Sequence, residues 1–98
     1  MIYVIAHLKT HPGKGFEVVS DAGPLIAGTR REAGCIFYDL YQKPGEPDTL
    51  VFIEQWETRE ALEAHFAEPH IVAFQKATAE LVADGRIEVV HSDKVEVL

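Results

Sequence analysis

The sequence has no asparagine, one cysteine, one tryptophan, one methionine and two serines. Without asparagine there is no N-glycosylation sequon and no Cys-His-Asn nucleophile set. Cys35 alone can form neither an internal disulfide nor a thiolate metal cluster, and it reads as a small buried hydrophobe. No Ser-centred nucleophile elbow is present. Apolar runs are only a few residues long, far short of the ~20 that cross a bilayer, and Met1-Ile2-Tyr3-Val4 lacks the basic start of a secretory signal. Basic residues are the minority as well. Nine Lys and Arg face 16 Asp and Glu, a formal charge of −7, and a surface of that sign repels phosphate backbones and anionic lipid. Nucleic acid and membrane are therefore excluded as partners, and the expected location is cytoplasmic.

What is there fits one globular domain, residues 1–98, with 47% apolar and 26% charged residues. A chain this short buries only about 60–65% of its unfolded surface by itself, so a second subunit is a natural supplement.

Ile2–Lys9 is rich in β-branched and aromatic residues and reads as a strand ending at His11-Pro12-Gly13. From Lys14, the residues Phe16, Val19, Ala22 and Ile26 recur at helical spacing, with Gly23-Pro24 expected to kink or split the helix before Glu32-Ala33-Gly34 ends it. Cys35–Tyr41 and Leu50–Trp56 are two strands joined by the turn-forming run Lys43–Asp48, a hairpin with a several-residue loop. Thr58 is an N-cap for a helix that Pro69 interrupts; a second helical stretch carries Ile71, Phe74, Thr78 and Leu81 and is expected to stop at Asp84-Gly85. Ile87–His91 is the last strand, and Lys94–Leu98 extends or follows it. Strand, helix, strand, strand, helix, strand is the split βαβ order of an α+β ferredoxin-like subunit with an antiparallel four-stranded sheet. Strands one to three are apolar on both faces, so the face away from the helices needs a cover, which a second copy of the chain would supply.

Phe52, Glu54 and Trp56 share one strand face. A carboxylate beside an indole there is either a desolvated general base or a hydrogen-bonded group that fixes sheet geometry. Trp56 is a core residue or a substrate platform, and Tyr38 and Phe52 are candidate substrate-binding walls. His7 follows an apolar run and either points into the same cavity or bonds at an interface. His65 and His70, five apart, stand about 140° from each other on an ideal helix, so they do not share a face as an i, i+4 zinc pair does, and no metal is expected. The break at Pro69 can instead turn one histidine inward, where imidazole is a natural proton acceptor. Gly13-Lys14-Gly15 lacks the spacing of either nucleotide-binding fingerprint.

Arg31-Glu32-Ala33-Gly34-Cys35-Ile36-Phe37-Tyr38-Asp39-Leu40, together with Phe52-Ile53-Glu54-Gln55-Trp56-Glu57-Thr58 through Ala61-Leu62-Glu63-Ala64-His65 and Pro69-His70, resembles the antibiotic biosynthesis monooxygenase family. The likeness runs from Ile2 to about His91. It implies a ferredoxin-like subunit that pairs into a dimeric α+β barrel, with a small aromatic substrate held between sheet and helices. Quinol or anthrone monooxygenases of this family use O₂ without metal or flavin, because an electron-rich phenolate itself reduces oxygen. On that resemblance His65 or His70 is the catalytic base, Glu54 an orienting or proton-accepting carboxylate, and Tyr38 and Trp56 the substrate wall. A haem-degrading branch of the fold uses Asn, Trp and His. The absence of Asn, and a Trp on a strand instead of the second helix, count against it. Two alternatives stay open: a non-catalytic aromatic-binding or stress-linked accessory protein, and an isomerase of a small phosphorylated metabolite with Lys9, Lys14 and Lys43 as phosphate ligands.

Overall fold

A computed structural model describes all residues, 1–98. The elements are β1 (Ile2–Thr10), α1 (Gly15–Thr29), β2 (Cys35–Lys43), β3 (Glu46–Trp56), α2 (Arg59–Phe66), α3 (Pro69–Thr78) and β4 (Val82–His91). The strands form one sheet in the order β2-β3-β1-β4, with every neighbouring pair antiparallel. This is the ferredoxin-like α+β arrangement expected from the element order.

One sheet face carries the core. Val4, Leu50, Phe52 and Trp56 pack there against Val18, Ala22, Leu25, Leu62, Ile71 and Phe74 of the helices. The helix face differs from the one the Phe16/Val19 spacing suggests. Val18, Ala22, Leu25 and Thr29 are buried, whereas Phe16 is 66% and Val19 38% exposed. Two apolar series interleave along α1, and the turn before it decides which faces inward. That turn is fixed by Asp48, whose carboxylate accepts from the Gly13 and Gly15 amides at 3.0 and 2.9 Å. Gly15 lies so close to Pro47 that a Cβ would overlap its carbonyl.

Three boundaries also move. Helix α1 runs unbroken through Gly23-Pro24, because Ser20, whose carbonyl Pro24 cannot bond, lies on the exposed side where water serves it. The hairpin turn is shorter than the proline-rich run suggests: Lys43 pairs with Glu46 across Pro44-Gly45, with Gly45 at φ +77°, and residues 47–49 bulge. Asp84-Gly85 lies inside β4, and the preceding helix ends at Thr78. The Thr78 hydroxyl turns back onto the Phe74 carbonyl at 2.8 Å there. Lys94–Leu98 has no regular structure.

The other sheet face is open. Tyr3, Ile5, Phe37, Val51 and Ile53 lie half-buried on it, with the Tyr3 and Phe37 rings 6.3 Å apart.

Candidate functional site

Strand alternation on β3 sends Glu54 and Trp56 toward the helices, and β2 brings Tyr38 opposite Glu54. Glu54 is 4% exposed. Its only side-chain partner is the Trp56 indole, which donates to Oε1 at 2.9 Å. Burial dominates over that bond, and with the nearby charge of Glu32 it pushes the Glu54 carboxyl up to about 7. The Tyr38 phenol is pushed up from its ordinary value by the same burial and by Glu54 and Glu32. Burial, reinforced by Glu32 and Glu54, raises the Cys35 thiol to about 11, so it is no nucleophile at neutral pH.

His65 lies beneath this group, with ring centroids 4.9 Å from Trp56 and 5.3 Å from Tyr38. Thr58 caps the helix that carries it, accepting from the Ala61 amide at 3.1 Å. Chain geometry then changes at residues 67–68. Pro69 starts a fresh helix at its first turn, where its missing N–H leaves nothing unpaired. The break cancels the angular separation of the two histidines. His65 Nδ1 and His70 Nε2 both meet Oε2 of Glu32, at 2.8 and 2.6 Å. Exposure is 2% for the His65 side chain, 9% for Glu32 and 20% for His70. The His70 ring fits because residue 28 is glycine; a Cβ there would stand 2.8 Å from the ring.

A cavity of about 380 Å³ opens between sheet and helices. Its walls are largely apolar, Ala6, Leu8, Phe52, Ile71 and Phe74 among them, and Tyr38, Glu54 and His65 bring polar atoms to it. An ionised carboxylate only accepts, so in the neutral imidazole the bond to Glu32 puts the His65 proton on Nδ1 and leaves Nε2 as an acceptor.

The expected site residues thus divide. Glu54, His65, Tyr38 and Phe52 meet at the cavity. Trp56 is fully buried and does not line it; its part is the indole bond to Glu54. His70 also stays off the cavity and reaches it only through Glu32 and His65. His7 borders the cavity, but the alternation of β1 turns its ring to the open face, where Nε2 meets Glu88 Oε1 at 3.0 Å. The three lysines do not converge on the cavity: Lys9 donates to Thr49, Lys43 pairs with Glu46, and none of the three lines it. Glu32 is the residue that sequence reasoning passes over as a helix terminator. A signal exists: an acid beside a helix C-terminus opposes the helix dipole and needs a compensating partner.

Residues 1–77 match the family model described as antibiotic biosynthesis monooxygenase. The chain is 33% identical over 96 residues to the Bacillus subtilis (strain 168) protein named "Putative monooxygenase YcnE", covering 98% of this chain and 100% of that one. It is 30% identical over 101 residues to "Probable quinol monooxygenase YgiN" of Escherichia coli (strain K12), covering 93% and 97%. Among solved structures, PA3566 from Pseudomonas aeruginosa superposes with a TM-score of 0.86 at 30% identity, over 93% of this chain and 92% of that one.

Proposed function

The chain belongs to the antibiotic biosynthesis monooxygenase family, and on that premise we propose that it oxidises a small electron-rich aromatic, a quinol or anthrone, with O₂ and without a resident cofactor. The observation that carries this reading is the meeting of two proton acceptors, His65 and Glu54, in one largely apolar cavity. A phenol entering it gives its proton to His65 Nε2, while Glu54 holds a second hydroxyl. The phenolate passes one electron to O₂, and the radical pair recombines at carbon. For an anthrone, loss of water then leaves one oxygen atom as a carbonyl, with the other departing with both hydrogens of the CH₂ group. Apolar walls protect the radical pair from water, and the raised Glu54 lets either protonation state serve near neutral pH. The open sheet face supports a homodimer, since Tyr3, Ile5, Phe37 and Ile53 need an apolar cover.

Oxygen uptake by chelator-treated protein with naphthoquinols and anthrones tests the reading, with autoxidation subtracted. Uptake above background is expected, and it should be lost in His65→Ala and reduced in Glu54→Gln variants whose circular dichroism matches wild type. Uptake that never exceeds autoxidation across the panel would overturn it and favour a binding protein.

A further inference from the structure

We infer that Glu32, His65 and His70 form a binding site for one divalent transition cation of the zinc class. Three separate segments supply the ligands: the turn after α1, helix α2 and the first turn of α3. Their ligand atoms, a carboxylate oxygen and two imidazole nitrogens, lie within 4.8 Å of one another. Two nitrogens with one carboxylate oxygen is a donor set that borderline cations such as zinc take, leaving positions for solvent. A tetrahedral ion with bonds of about 2.0–2.1 Å holds its ligand atoms about 3.3 Å apart. The present contacts of 2.8 and 2.6 Å therefore need to open by about 0.5 and about 0.7 Å, within reach of side-chain torsions.

The surroundings suit a site held in advance. Glu32 and His65 are nearly enclosed, while His70, one-fifth exposed, gives an entry path. Gly28 leaves a hollow that fits the His70 ring and would not admit a Cβ. The break before Pro69 places both imidazoles on one oxygen. Glu32 and His70 do not line the cavity, so the ion is held on the side of His65 away from substrate. The site stands whichever reaction the cavity carries. It also has a consequence there: with Nδ1 on the cation, the remaining ring proton moves to Nε2, and the cavity meets a donor in place of an acceptor.

The test is equilibrium dialysis of chelator-stripped full-length protein against Zn²⁺, with Co²⁺ as a spectroscopic substitute. One Zn²⁺ per chain is expected, with a thermal midpoint that rises on loading. Removing one ligand in His70→Ala should weaken binding on the order of 100-fold or more. Gly28→Ala, which keeps all three ligands but displaces the His70 ring, should weaken it too. In wild-type protein loaded with Co²⁺, ring protons of two histidines should shift far outside the diamagnetic range, a readout that no variant's folding affects. Zn²⁺ binding no tighter in wild type than in a folded His65→Ala/His70→Ala protein, or no paramagnetic histidine shifts, would overturn the proposal. Oxygen uptake plays no part in the test, so the two proposals fail separately.

Discussion

Replacing Glu54 by glutamine should change how the stability of the protein depends on pH. The folded carboxyl titrates at about 7 against an ordinary value of 4.5, chiefly because of burial. At 1.36 kcal/mol per pH unit, that difference is worth about 3 kcal/mol. Below pH 4.5 both folded and unfolded chains hold the proton, and Glu54 costs nothing. Between 4.5 and 7 the unfolded chain releases it while the folded chain keeps it, so stability falls as pH rises through this window. Above 7 the full cost remains. The glutamine of the Glu54→Gln variant never ionises, and its amide oxygen can still accept from the Trp56 indole. The stability difference, variant minus wild type, should therefore grow by about 3 kcal/mol from pH 4.5 to pH 8. Asp48 and Glu88, whose carboxyls are lowered by the Gly13 and Gly15 amides and by His7 and Arg86 respectively, act in the opposite direction. They are common to both proteins and cancel in the difference. Urea unfolding at one protein concentration, followed by fluorescence of Trp56, the single tryptophan, measures it directly. A difference that stays flat over this range would refute the placement of a desolvated carboxylate at residue 54.

Two further substitutions test the packing around the site. The Thr29 hydroxyl is buried with no hydrogen-bond partner, so Thr29→Val should stabilise by about 1 kcal/mol and raise the melting temperature by roughly 4–8 °C, read by calorimetry. Gly34 sits at φ +83°, with a would-be Cβ only 2.6 Å from that of Ala61. Gly34→Ala should cost at least about 2 kcal/mol, and adding Ala61→Gly should recover the steric part but not the backbone part, as equilibrium unfolding of both variants would show.

Much of the fold is legible in the sequence because each strand and helix announces itself locally. The alternation of β3 places Phe52, Glu54 and Trp56 together, and Thr58 and Pro69 mark the starts of α2 and α3. What is not legible is settled by contacts distant in sequence. The inward face of α1 depends on Asp48, more than 30 residues from the turn it clamps. Asp84-Gly85 looks like a helix stop, yet the pairing of Gly85 with Leu8 places it in a strand. The site is half legible for the same reason. Glu54 can be nominated from its apolar strand neighbours and His65 from the helix break at Pro69, but Glu32 acquires its role only when residues 33 and 38 positions away fold onto it. The angle between His65 and His70 holds for one continuous helix, and the chain forms two there.

The two-residue interruption at Ala67-Glu68 has a consequence for how this chain can change its length. On either side of it, exposed positions of α2 and α3 can be exchanged with little effect, because only Leu62, His65, Ile71, Phe74 and Thr78 are buried. Within the interruption the number of residues matters more than their identity. Adding or deleting one turns everything downstream by about 100°, carrying His70 off Glu32 and Ile71 and Phe74 out of the core together. Ala67 and Glu68 should thus be free in composition and fixed in number, between a Phe66 that borders the cavity and a Pro69 that starts the next helix.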